Sequence, residues 1–240
     1  MEQSKVYFSD LRAPVGTNLL RKLEKLIRRA GIGDIDMEKK LVAIKLHFGE
    51  PGNLTYLRPN YAKVVADVVK SLGGVPFLTD CNTLYPGRRK NALEHMEAAY
   101  ENGFSPFSTG CHVIIGDGLR GTDDVEVPVE GAEYIQTAKI GRAIMDADVF
   151  ISLTHFKGHE ATGFGGAIKN IGMGCGSRRG KMEQHNAGKP LVRQSRCVGC
   201  RRCSRECGQD AISYGEDGKA GIDQEKCVGC GRCIGACNFD

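Results

Sequence analysis

Leu19, Leu20, Leu23, Leu26 and Ile27 recur at the three-and-four spacing that turns one helical face toward a core, and Gly31 is placed to close that helix. Residues 41–46 break the period: five of the six are apolar, with Lys45 the exception, which reads as a buried strand. Val64, Val65, Val68 and Val69 then mark a helix over 61–72, stopped by Gly73 and Gly74. The same reading gives strands at 75–78, 112–115, 125–129 and 148–153, helices at 91–102 and 140–147, and a short strand at 6–8. Strands alternating with helices predict an α/β domain with a mostly parallel sheet flanked by helices.

In such sheets ligands bind beyond the carboxyl ends of the strands. Polar and titratable residues crowd those ends here. Lys45, His47 and Glu50 follow the first long strand, and Thr79, Asp80, Cys81 and Asn82 follow the next. Asp117 follows the strand at 112–115. Thr154, His155, Lys157, His159 and Glu160 follow the last. Each alone reads as a loop cap; together they predict a cleft. The stretch from 158 to 180 holds eight glycines, and Lys169 lies within it, so its backbone amides and one ammonium can meet an anion. No Walker pattern is present. The cleft is expected to take a small anionic ligand, with Lys45, His47, Asp80, His155, Lys157, His159 and Lys169 as charge stabilisers or proton donors. His155 and His159 are four apart but bracket Gly158 after a strand, so a loop is expected there. Cys175 sits beside Arg178 and Arg179, which favours a thiolate. Its other reading is an inert residue in a packed turn.

The chain has 240 residues, enough for one or two domains with a real core. With 41% hydrophobic and 26% charged residues, wholesale disorder is excluded. No apolar run approaches the ~18 residues of a membrane span. The first residues mix charge and polarity, unlike a signal peptide, so a cytoplasmic, reducing setting is expected. The 11 cysteines cannot all pair within one chain, and in that setting clustered cysteines point to metal or redox chemistry.

Eight of them form two runs: Cys197, Cys200, Cys203, Cys207, then Cys227, Cys230, Cys233, Cys237, each C-x-x-C-x-x-C-x-x-x-C. Aligned at an offset of 30, positions 196–207 and 226–237 are identical at 7 of 12 places. This is an internal duplication. It resembles the bacterial two-[4Fe-4S] ferredoxin domain over about residues 191–240. The resemblance implies two [4Fe-4S] clusters with exchanged fourth ligands. Cys197, Cys200, Cys203 and Cys237 would hold one; Cys227, Cys230, Cys233 and Cys207 would hold the other. Proline usually follows the fourth cysteine, whereas Gly208 and Asn238 stand here. A hairpin is expected over 211–222. Its counterpart after Cys237 is missing, so the domain is expected to be incomplete at its C-terminus.

The stretches around His155-Phe-Lys-Gly-His159, Gly163 to Asn170 and Met173-Gly-Cys175, with Ile44-Lys45 and Leu78-Thr-Asp80, resemble the domain of unknown function 362 family. Members carrying an adjoining ferredoxin module are implied to be iron–sulfur proteins; no substrate or catalytic residue comes with the resemblance. The expected organisation is an α/β domain with Gly-rich loop and basic linker over 1–190, and a small α+β ferredoxin-like domain over 191–240.

The formal net charge is +4, but positions 178–205 alone carry +8. That segment reads as a solvated linker offsetting cluster charge, or as a docking face for an acidic redox partner protein. No aromatics interleave with the basic residues, so nucleic acid is not an expected partner. The function expected is electron transfer through two clusters, as an oxidoreductase acting on a small anionic ligand. The alternatives are a non-catalytic carrier or accessory protein, and a cluster-based oxygen or iron sensor.

Overall fold

The computed structural model describes residues 3–85, 87–133, 135–159, 162–186 and 189–239. Glu160 therefore lies outside the described residues.

The chain enters through α1 (Leu19–Arg29), capped by Asn18, whose side chain accepts from Arg21 N. Gly31 follows with φ +93°, a left-handed turn that glycine adopts without strain. Then come β1 (Leu41–Lys45), α2 (Pro59–Ser71), β2 (Val75–Asp80), α3 (Ala92–Glu101), the single turn α4 (Pro106–Thr109) and β3 (His112–Ile115). Asn91 caps α3. Residues 6–8, expected as a strand, form none.

After β3 the chain makes an antiparallel ribbon, β4 (Asp124–Pro128) with β5 (Thr137–Gly141). A one-turn helix, α5 (Arg142–Met145), leads into β6 (Val149–Ser152). The helix expected over 140–147 is thus mostly displaced: Ile140 pairs with Val125 across the ribbon, and only one helical turn remains. Short apolar runs are decided by such non-local pairing, which local pattern does not report.

The main sheet is four-stranded, in the order β3-β2-β1-β6, and every pairing is parallel. Ile44 and Leu46 pack with Ala62, Val65 and Ala66 of α2, with Ala99 of α3, and with Phe48 and Phe104. Lys45 points to the opposite face, because strand side chains alternate. The chain steps outward from β1 to β3 and then returns to the far side of β1 as β6. The order therefore reverses between β1 and β6, the switch point at which open α/β sheets form a crevice.

Beyond β6 lie a hairpin, β7 (Lys157–His159) with β8 (Gly163–Gly165), and then α6 (Ala167–Gly172) and α7 (Arg178–Asn186). The glycine-rich stretch is a hairpin and a short helix rather than a loop. The cysteine-rich segment contains α8 (Arg202–Arg205), an antiparallel pair β9 (Ile212–Tyr214) and β10 (Ala220–Ile222), and α9 (Arg232–Ala236).

Candidate functional site

The duplication is visible in the backbone. Gly199 and Gly229 have φ of +66° and +68°, and Arg201 and Gly231 have φ of +61° and +69°. Each left-handed pair precedes a short helix, α8 or α9. Two cavities lie among these loops. One, of about 470 Å³, is walled by Cys197, Cys200, Cys203 and Cys237 together with apolar side chains such as Ile234 and Phe239. The other is walled by Cys207, Cys227, Cys230 and Cys233. Cys233 lies between them and borders both.

The donor chemistry fits a [4Fe-4S] group, which needs four thiolates and tolerates little water. Backbone amides point at three of the cysteine sulfurs: Ala220 N to Cys197 Sγ, Ala211 N to Cys207 Sγ, and Phe239 N to Cys237 Sγ, each at 3.4 Å. Such donors stabilise thiolate charge. Burial, and then the neighbouring Cys230, Cys227 and Cys203, push the Cys233 thiol up to about 12. Crowded thiols of this kind are poor as free acids, and a bound metal centre deprotonates them outright.

The strand ends of the α/β domain build a second polar centre. Lys45 and Asp80 are buried, with Nζ 3.0 Å from Oδ1. Burial alone would raise the Asp80 carboxyl, but Lys45, His95 and His47 together hold it well below the ordinary carboxylate range. Lys45 Nζ also donates to Asn170 Oδ1 at 2.7 Å. The Asn170 amide donates onward to Lys45 O, Ser152 Oγ and Thr154 Oγ1 at 3.3, 3.1 and 3.0 Å. Asn170 of α6 thus closes the switch-point crevice between β1 and β6. His95, fully buried, has both ring nitrogens without a hydrogen bond, and burial pulls it down to about 3. His47 has one edge at the surface and accepts from Gly49 N through Nδ1 at 2.9 Å. Packing around its other edge, then Arg89, lowers it to about 4.

The remaining expected residues lie on β7, just before it, and on α6. His159 Nε2 contacts Lys169 Nζ, joining β7 to α6. His185 of α7 is lowered by burial and then by Lys169, and Tyr85 Oη lies 3.4 Å from its Nε2. Lys157 is exposed and His155 half-buried. The seven predicted side chains therefore divide. Lys45 and Asp80 form a buried frame with His47 at its edge; His155, Lys157, His159 and Lys169 are on or beside the hairpin outside it. Sequence reasoning missed His95, Arg89, Ser152 and Tyr85. Only Ser152, at a strand end, carried a signal.

Burial decides two local alternatives, and for Cys175 it favours the inert packed residue over the thiolate. Cys175 is buried, which raises its thiol despite nearby Lys45. Cys81 and Cys111 are likewise raised by burial. Asp117 is a brace: its carboxylate accepts from Asn82 N, Asn82 Nδ2 and Arg178 N. The basic stretch is not simply a solvated linker, since Arg178 and Lys181 are buried.

A family model described as Domain of unknown function (DUF362) matches residues 42–224, three quarters of the chain. The chain belongs to the DUF362 family. In this DUF362 protein a second match, to a 4Fe-4S binding domain, covers residues 220–239, the second cysteine motif. The first motif falls inside the DUF362 match. No curated protein matches the chain. Among solved structures, the lactate racemase apoprotein from Thermoanaerobacterium thermosaccharolyticum is similar at 15% identity and a TM-score of 0.43. That alignment covers 73% of this chain and 37% of the racemase chain, so the DUF362 chain spans little more than a third of that protein's length. Among the described residues no helix is long and apolar enough to cross a membrane.

Proposed function

We propose that this chain carries electrons through two [4Fe-4S] clusters to or from a small anionic ligand held at the mouth of the strand-end crevice, as a cytoplasmic iron–sulfur oxidoreductase. One observation carries the reading: the eight clustered cysteines line two adjoining cavities, Cys197, Cys200, Cys203 and Cys237 the first, Cys207, Cys227 and Cys230 the second, with Cys233 on the wall between them. The first motif gives three cysteines to the first cavity and its last to the second; the second motif gives Cys227 and Cys230 to the second cavity, Cys237 to the first and Cys233 to both. When bound, each cluster supplies one-electron chemistry. The chain's own part is to hold the thiolates, shield them with Ile212, Ile222 and Ile234, and donate amides to sulfur.

The ligand end is assigned to Lys169, His159 and Lys157, with Tyr85 and His185 beside them. The positive charges and imidazoles there suit a carboxylate or phosphate. Lys45 and Asp80 are too deeply buried to meet a ligand and fix the crevice instead.

A second reading, a carrier that docks on an acidic redox partner, is favoured by the rim of the first cavity. Arg193, Arg196, Arg201 and Arg202 line it and are exposed, as is Cys200. The two readings separate by calorimetry of the anaerobically reconstituted chain with inorganic phosphate and with oxalate. Binding that is lost in Lys169→Ala and His159→Ala supports the oxidoreductase; no binding of either anion supports the carrier.

A further inference from the structure

The two cysteine motifs differ where their duplication would make them alike. At the offset of 30, Arg201 corresponds to Gly231 and Arg205 to Gly235. The first motif carries two exposed arginines where the second carries no side chain.

The space left by those glycines is filled by Arg178. A Cβ on Gly231 would stand 3.0 and 3.1 Å from Arg178 Cδ and Cγ. One on Gly235 would stand 2.5 Å from its Nη1 and 3.3 Å from its Nη2. Arg178 begins α7 and is anchored in the α/β domain. Its backbone N donates to Asp117 Oδ2 at 3.0 Å, its Nε to Thr83 O at 3.2 Å and its Nη1 to Arg120 O at 3.1 Å. Nη2 is buried and has no partner. Among the described residues no carboxylate pairs with the guanidinium, which is 2% exposed and cannot shed its proton. A buried, unpaired cation is strongly destabilising unless an anion faces it. The negative groups its charge faces are the Asp117 carboxylate, already taken up by Asn82 and the Arg178 backbone N, and then the sulfurs of Cys230 and Cys233. Lys90, also buried, ties the same motif to the α/β domain by donating to Cys237 O and Asn238 Oδ1 at 3.0 and 3.1 Å.

We infer that Arg178 is the counter-cation of the cluster held by the second motif, donating through Nη2 toward its cysteine sulfur and raising its reduction potential. Four thiolates leave an oxidised [4Fe-4S] cluster at about −2, and reduction adds one electron and one more negative charge. A desolvated guanidinium favours the reduced form, whereas the exposed arginines around the first cavity are screened by water. The second cluster becomes the better acceptor, and it is the one pressed against the α/β domain. Electrons entering at the exposed first motif then run inward. This rests on the proposal that both motifs hold clusters.

The test is a potentiometric titration, read by electron paramagnetic resonance, of the full chain reconstituted anaerobically and reduced with dithionite. Iron is counted in the same samples. Arg178→Gln should move one midpoint to a more negative value and leave the other in place. Gly235→Ala keeps the arginine and its backbone bonds but pushes the guanidinium off its seat, and should move the same midpoint in the same direction. Arg205→Ala, at the duplicated exposed position, should move neither. Two midpoints that stay fixed in both Arg178→Gln and Gly235→Ala overturn the inference, as does an equal shift in Arg205→Ala. If Arg178→Gln does not fold, Gly235→Ala decides alone. Failure of the two-cluster proposal shows separately, as an iron count of about four in the unaltered chain.

Discussion

Lys45 Nζ lies 3.0 Å from Asp80 Oδ1, with both side chains withdrawn from solvent at the ends of neighbouring parallel strands. Breaking a buried pair leaves one charge uncompensated, so Lys45→Met should destabilise the protein by about 3–5 kcal/mol. Adding Asp80→Leu should return part of that loss, because the orphaned carboxylate goes with it. Urea unfolding of the two single variants and the double variant measures both effects.

Asn170 distributes its amide among Lys45, Ser152 and Thr154, so its removal leaves several polar atoms without a partner. Asn170→Ala should lose about 1–3 kcal/mol, more than a surface Asn→Ala change. The shift of the urea midpoint at constant slope checks this.

His95 makes the fold sensitive to acid. The unfolded chain protonates this ring as pH falls through about 6.5, whereas the buried ring resists protonation until about 3. The unfolded state therefore binds more protons across that window, and stability declines from about 6.5 toward 3. Asp80, depressed in the folded state, adds a further loss below its unfolded value of about 3.9. Melting temperature against pH should fall across the window and flatten between about 6.5 and 4 in the double variant His95→Leu, His47→Gln. A curve equally steep in that variant would remove these rings as its cause.

Much of the architecture was legible because it rests on local pattern. The apolar run of β1, the valines of α2 and the cysteine spacing each report a single element or motif. What was not legible depends on partners distant in sequence. Ile140 becomes a strand residue only because Val125 lies opposite it. Arg178 reads as one more charge in a basic stretch, and its burial follows from the packing of α7 on the second motif. A signal for it did exist in the duplication, in the glycines that replace Arg201 and Arg205. At the crevice the residue types were readable, but not their division into a buried pair, Lys45 with Asp80, and an outer group, His159 with Lys169.

The exposed arginines around the first cavity give a kinetic prediction. Arg201→Glu with Arg202→Glu should slow reduction by an acidic electron donor such as a small ferredoxin by about tenfold or more at low salt, with the difference shrinking as salt is raised. Stopped-flow rates across a salt series test it. Equal rates in both proteins at low salt would remove this face as the docking surface.

In the proposed electron carrier, two clusters share eight cysteines, with the last cysteine of each motif serving the other. Iron and acid-labile sulfide analysis of the anaerobically reconstituted chain tests it most directly. The expected result is about eight of each per chain, two four-iron clusters. About four of each, or fewer, would contradict it.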